Sequence, residues 1–405
     1  MTPIQAILAI STLLLGGCST LGFGPDEAPA SCPPCAACPD CPPPAAATPA
    51  PTTPAAFSRT LQPAEWSDLP GWSDDDVAAA WPAFLLSCRG MAGRPYGGEW
   101  KRVCDLAREA DGKDARAFFQ ANLRPHLVIA ADGSSSGMVT GYYEPLLRGS
   151  RQRAKGIAQP VLGVPDDLLT IDLSAVFPEL KDKRLRGRIE GKRVVPYWTR
   201  AEIASRGEAL PARTLLYVDD AVELFFLQVQ GSGRVRLTDG STVRLNYADQ
   251  NGHSYQSIGR LLVARGELKL EEASMQGIQA WARANPARLD ELLNANPSYV
   301  FFREMPDSKD GPIGALGVPL LAERTIAVDP RSVPLGAPVF LATTRPNSGQ
   351  PLNRLVMAQD TGGAIKGAVR ADFFWGFGKA AGEQAGRMKQ SGKMWVLLPA
   401  EAAPK

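Results

Sequence analysis

Histidine is almost absent from this 405-residue chain: His126 and His253 are the only two, and neither stands at ligand spacing from the other. Two isolated imidazoles exclude a histidine-rich metal site and weigh against a Ser-His-Asp triad. Any catalysis therefore falls to carboxylates, Lys or Tyr. A Gly-rich phosphate loop after a strand and an internal repeat are also missing. No Lys or Arg precedes Arg59, so all 44 basic residues lie in residues 57–405 against 39 acidic ones, a formal +5 for that body. This is too weakly basic for nucleic-acid binding, while a mild attraction to an anionic polymer fits it. With 21% charged and 44% hydrophobic residues the chain is globular, and its length suits two domains with real cores.

The N-terminus differs in character. The apolar run Ile4–Leu15 is too short to span a bilayer and ends in Leu15-Gly16-Gly17-Cys18. Small residues before a cysteine resemble the bacterial lipobox, so residues 1–17 read as a signal peptide and Cys18 as a lipidation site. Ser19, in place of Asp, implies the outer membrane in the lipoprotein sorting pattern, with the body on its periplasmic face. Residues 18–56 then form a Pro/Ala/Cys-rich tether. Its Cys32, Cys35, Cys38 and Cys41 have the spacing of an iron–sulfur run. They sit in an extended tract with no element to bury a cluster, so they are read as disulfide-linked or unassigned. Export implies an oxidising compartment, where Cys88 and Cys104, the only cysteines of the body, are expected to pair.

Along the body, helical signals occur at residues 74–86 and 114–123, and residues 137–143 turn strand-like. Residues 148–214 alternate without a resolvable pattern. Residues 215–218, 224–230 and 234–237 read as strands, with Gly231-Ser232-Gly233 as a hairpin turn and Asp239-Gly240 marking the next. Helices follow at residues 254–264, 275–282 and 289–293. From Tyr299 the pattern is β again, at residues 299–302, 324–328, 338–342, 354–358 and 394–398. Short strands in Gly/Pro-rich loops indicate a barrel, not a doubly wound sheet.

Chemistry-bearing residues concentrate between Gln359 and Gly376, where Asp360 and Asp372, Lys366 and Arg370, an aromatic run and several glycines fall together. Asp329 stands before Pro330. Glycines admit a ligand close to backbone, and aromatics offer flat faces to sugar rings. The residues alone also allow a plainer reading. Asp329 and Asp360 would cap turns, and Asp372 would be solvated beside Arg370 or Lys366.

These aspartate segments resemble the three-aspartate domain of the membrane-bound lytic murein transglycosylase A family. Four further segments match in order: Thr140–Pro145, Phe225–Gly233, Asn251–Arg260 and Asn296–Phe302. The resemblance spans roughly residues 60–398. It implies a mainly β protein in which a double-psi β-barrel domain with flanking helices (57–143 plus 297–400) carries an inserted second β-rich domain (144–296). A groove for a peptidoglycan glycan strand would lie between them. It also implies cleavage of the β-1,4 bond between N-acetylmuramic acid and N-acetylglucosamine, leaving 1,6-anhydro ends, with Asp372 as single acid and base. Asp360, Asp329 and Lys366 would support it. By motif position Thr140, Tyr142, Tyr143, Gln228, Gln230, Ser232, Gly362, Gly363 and Trp375 would meet the substrate. Neither cofactor nor metal is implied. The rival readings are a hydrolytic muramidase using the Asp360/Asp372 pair, and a silent glycan-binding lipoprotein.

Overall fold

The computed structural model describes residues 60–180, 183 and 185–400. The expected signal peptide, Cys18 and the four-cysteine tether lie outside them.

After a short strand β1 (Leu61–Pro63), three helices open the body. α1 (Trp81–Met91) follows a 3₁₀ turn that Asp76 caps through the Ala79 N–H. It buries Trp81, Phe84, Cys88 and Met91 at helical spacing. α2 (Gly97–Glu109) buries Trp100, Val103, Cys104 and Ala107 in the same way. A disulfide joins Cys88 to Cys104 across the two helices. α3 (Ala115–Asn122) runs into β2 (Leu123–Val128), and β3 (Gly137–Glu144) follows.

The chain then builds β4 (Leu146–Ser150), β5 (Gln159–Leu162), β6 (Leu169–Thr170), β7 (Arg186–Glu190), β8 (Arg193–Pro196), α4 (Arg200–Arg206) and β9 (Thr214–Val218). Next come α5 (Ala221–Gln230), β10 (Ser232–Leu237), β11 (Thr242–Gln250), α6 (Ile258–Ala264), α7 (Met275–Ala284), α8 (Leu289–Asn294) and β12 (Val300–Met305). β13 (Thr325–Val328), β14 (Pro338–Thr344), β15 (Pro351–Asp360), β16 (Arg370–Phe377), α9 (Gly378–Ala385) and β17 (Lys389–Pro399) complete it.

Eight strands form one sheet, β1-β2-β17-β14-β15-β13-β16-β3, and an additional pairing joins β17 to β3. The six strands from β17 round to β3 thus hydrogen-bond in a closed circuit, which leaves none of the six as a bare edge. Its buried side chains are mostly apolar, and all four residues of β13 are buried. Gln359 is a buried polar side chain among them. Its Nε2 donates to Ala83 O at 2.8 Å and Ser87 Oγ at 3.0 Å, and its Oε1 accepts from Thr325 Oγ1 at 2.8 Å. A fully satisfied buried amide of this kind fixes α1 on the sheet.

A second sheet, β12-β11-β10-β4-β9-β5, and a three-stranded one, β6-β7-β8, hold the middle of the chain. One sequence expectation changes here. Residues 224–230 are helical, not the first arm of a hairpin. Asp220 caps α5 by accepting from the Val222 and Glu223 N–H groups at 2.7 and 3.0 Å, and Gly231 ends it at φ +80. The run reads as a strand because it is apolar on two sides. Leu224 and Leu227 enter the core of the second sheet, while Val222 and Phe225 enter a core with α6, α7 and α8. The true hairpin is β10–β11, turning at Asp239-Gly240. In addition, β12 pairs with β11, so the second sheet continues to Met305.

Polar side chains join the sheets. Glu144, 1% exposed at the end of β3, accepts from Arg234 Nε at 3.0 Å. Arg244 donates to the carbonyls of Pro306, Asp310 and Gly311, and Asn246 exchanges two hydrogen bonds with Ile313.

Asp75 and Arg324 form a buried pair at 2.9 Å, and Asp75 Oδ2 also accepts the Leu355 N–H at 2.8 Å. Removing one member strands the other charge, so Asp75→Ala should cost about 3 kcal/mol in urea unfolding. Asp172→Ala, in an exposed loop, should leave the urea midpoint close to that of the parent. Equal effects would show that the pair contributes nothing particular.

Candidate active site

Strand register lines up four residues across four adjacent strands. Ala327 of β13 pairs with Asp360 of β15 on one side and with Asp372 of β16 on the other, and Asp372 pairs in turn with Thr140 of β3. Directly paired residues project to one face. Both carboxylates and the threonine hydroxyl therefore emerge together, with only the Ala327 methyl between them. Strand spacing sets the two aspartate Cα atoms about 10 Å apart. Two residues along, Tyr142 and Phe374 pair with ring centroids 5.1 Å apart, and with Leu320 and Ile365 they form an apolar cluster beside the carboxylates.

The three aspartates sit in different surroundings. Asp329, 1% exposed, accepts from Arg331 Nε at 3.0 Å and Nη2 at 2.7 Å, and from the Gly367 N–H at 2.9 Å. Burial pushes its carboxyl up, but these donors outweigh burial and bring it down to about 2. It is a fixed anion that clamps the loop between β15 and β16. Asp360 accepts at Oδ1 from the Ala315 and Thr361 N–H groups, both at 2.9 Å, and at Oδ2 from Tyr142 Oη at 3.1 Å. Both of its oxygens are engaged by donors.

Asp372 differs. It accepts one hydrogen bond, from Thr140 Oγ1 to Oδ1 at 2.5 Å, and Oδ2 has no partner among the described residues. Solvent still touches this half-buried residue, yet protein crowds its carboxyl. That burial pushes it up to about 6, against the Thr140 hydrogen bond and the Arg370 charge, with a further push from Asp360. A carboxyl that holds its proton near neutrality and has one oxygen unengaged can act as a general acid. Among the described residues no group of three or more His, Cys, Asp or Glu is placed to hold a metal ion.

Comparison with known proteins matches residues 138–303 to the MltA specific insert domain and residues 324–398 to the 3D domain. Membrane-bound lytic murein transglycosylase A of Escherichia coli K12 is 33% identical over 312 residues, 75% of each chain. The crystal structure of MltA from Neisseria gonorrhoeae is 42% identical with a TM-score of 0.74, covering 85% of this chain and 94% of that one. The chain belongs to the membrane-bound lytic murein transglycosylase A family. The E. coli MltA crystal structure with bound chitohexaose is 28% identical, with a TM-score of 0.65 over 85% of this chain and 96% of that one.

Within this MltA framework the other expected residues divide. Thr140 and Tyr142 reach the carboxylates directly. The half-buried Tyr143 turns away: its ring packs on Gly382 of α9, its hydroxyl meets Met275 Sδ at 3.5 Å, and its N–H donates to Gln230 Oε1 at 3.0 Å. Gln228 is buried near Tyr299, and Ser232 is buried at the start of β10. Trp375 lies in the core of the closed circuit, donating from Nε1 to Met388 Sδ at 3.2 Å, so it offers no face to a sugar. Gly362 makes a turn closed by Ile365 N–H, while Gly363 and Lys366 stand exposed on the same loop.

Sequence reasoning missed Arg331, although it stands only two residues from Asp329, and it missed Ala315 and the positional role of Ala327, which act through fold-dependent partners. It also missed Arg200, whose buried guanidinium donates to the carbonyls of Asn296 and Ser298. Asn251 donates to the Trp198 and Pro297 carbonyls and accepts the Tyr299 N–H. The Asn251 and Asn296 segments thus hold backbone in place some way from the aspartates.

The raised Asp372 makes a stability prediction. Its protonated form favours the fold, a contribution full below the unfolded value of 3.8 and lost as pH rises through about 6. Above that, the ionised carboxylate costs about 3 kcal/mol. Asp372→Asn should therefore be more stable than the parent by about 3 kcal/mol near pH 8 and nearly equal to it near pH 4, measured by urea unfolding. An equal gap at both pH values would refute the assignment of a raised carboxyl.

Proposed function

We propose that the chain is a peptidoglycan lytic transglycosylase, cleaving the β-1,4 bond between N-acetylmuramic acid and N-acetylglucosamine to leave 1,6-anhydromuramic ends. The observation that carries this reading is the contrast between Asp372 and its two companions. Asp372, protonated, donates to the glycosidic oxygen as the bond opens toward an oxocarbenium-like state. The resulting carboxylate then takes the proton of the C6 hydroxyl of the same sugar, which attacks C1. The nucleophile is already tethered to the reacting carbon, so no second carboxylate has to activate water.

Asp360 supports that division of labour. With both of its oxygens accepting from fixed donors, it is poorly suited to act as a base toward water, which argues against a hydrolytic muramidase. Its charge serves instead to hold the proton on Asp372. Asp329 and the loop bearing Gly362, Gly363 and Lys366 would frame the glycan. The bound chitohexaose of the E. coli relative supports a glycan strand as the ligand.

The closed six-strand circuit, with parallel pairs β13–β15 and β16–β3, supports a double-psi β-barrel as the catalytic domain. The second sheet then belongs to the inserted one. Among the described residues no helix is long and apolar enough to cross a membrane. Attachment would rest on acylated Cys18, on the periplasmic face of the outer membrane, with the Pro-rich tether as leash.

Asp372→Asn should lower release of anhydro-muropeptides from sacculi by at least about 10³-fold while the far-UV circular dichroism is unchanged. Mass spectrometry of the parent's products should show ends one water lighter than reducing ends. Retained activity in the variant would overturn the assignment of Asp372, and reducing ends would restore the hydrolase.

A further inference from the structure

We propose that Arg370 and Thr140 form a positioning relay that commits one oxygen of Asp372 to structure and leaves the other to carry the reacting proton. This rests on Asp372 being the acid.

The argument is one of donors and acceptors. Arg370 Nη2 lies 2.9 Å from Thr140 Oγ1, and Thr140 Oγ1 lies 2.5 Å from Asp372 Oδ1. A guanidinium only donates, so the bond from Arg370 consumes a lone pair of the hydroxyl. The hydroxyl's single hydrogen is directed to Oδ1. With Oδ1 engaged as an acceptor, the acidic proton is placed on Oδ2. Arg370 is itself held, through Nη1, to the carbonyls of Met138 and Ala371. Register makes the arrangement possible: Arg370 pairs with Met138 and Asp372 with Thr140, two steps apart on the same parallel strand pair. Arg370 and Asp372 therefore share a face.

The relay gives the two half-reactions a common atom. In the first, the Oδ2–H bond breaks, the proton goes to the glycosidic oxygen and the C1–O bond breaks. In the second, the C6 hydroxyl proton returns to Oδ2 as the O6–C1 bond forms. The carboxyl need not rotate between them, and no water enters. Oδ1 stays bound throughout, and the Arg370 charge, passed through a polarised hydroxyl, steadies the intermediate carboxylate.

Other ionisable groups near Asp372 do not replace this pair. Asp360 and Tyr142 are bonded to each other, Lys366 is exposed on its loop, and Lys389 of β17, opposite Thr140 in register, is exposed as well. The tool is a pH profile of kcat/KM on sacculi with the whole enzyme. Thr140→Val removes the hydrogen bond donated to Oδ1 and should move the alkaline limb up by about one pH unit. It should also lower kcat by at least about tenfold with KM within about threefold of the parent, and Thr140→Ser should restore both. Arg370→Leu should shift the limb the same way. The double variant should shift it by less than the sum of the two, since the two groups act in series.

A Thr140→Val profile superimposable on the parent, or full additivity in the double variant, would overturn the relay. A ¹³C titration of the Asp372 carboxyl in the parent and in Thr140→Val reads the same displacement without turnover. Failure of the relay is thereby separated from failure of Asp372 as the acid, which Asp372→Asn alone reports.

Discussion

Everything in the site depends on the register of β13 against its two neighbours. Ala327 is the meeting point, with Asp360 on one flank and Asp372 on the other. Side chains alternate faces along a strand, so a slip of one residue in β15 or in β16 would send that strand's carboxylate to the opposite face, and in β16 would also bring Phe373 out of the core. The four buried residues of β13 resist such a slip, as does Gln359, tying β15 to β13 and α1 at once. The chemistry is thus fixed by hydrophobic packing on the other side of the same strands. The small side chain at 327 matters as much: anything larger would stand between the carboxylates.

The three aspartates illustrate how one residue type is set to different tasks by hydrogen-bond supply. Asp329 has an arginine fork and a backbone N–H, and Asp360 has two backbone N–H groups and a tyrosine hydroxyl. Asp372 has one hydroxyl. Donors stabilise the charged form, so the aspartate least supplied with them is the one that keeps a proton. Burial therefore keeps the proton on Asp372 to about pH 6, while the arginine fork and the Gly367 N–H hold Asp329 as an anion.

Much of this was legible in the sequence, and the remainder fails for identifiable reasons. The three-aspartate segments and Thr140-Gly-Tyr-Tyr carry the site because they contribute side chains from short contiguous stretches. α1, α3 and the α6–α8 group show their periodicity openly. α5 does not, because burying two sides against two different cores erases the polar face by which a helix is read. The place of β12 depends on its partner β11, which no local pattern reports. Trp375 in an aromatic run looks like a sugar platform, yet strand alternation and α9 turn it inward. In the sequence Arg370 reads only as a neighbour of Asp372. Its value lies in reaching Thr140 across the strand boundary, which requires the parallel pairing of β16 with β3.

The segment between β12 and β13 has a mechanical meaning. Arg244 and Asn246 of the second sheet grip it at Pro306, Asp310, Gly311 and Ile313, and two residues later the Ala315 N–H points at Asp360 Oδ1. Leu316 N–H then fastens to the Gln359 carbonyl. Pinned at both ends, the strap makes one continuous run of chain answer to two masters: the side chains of the second sheet hold its first half, and the end of β15 holds its second.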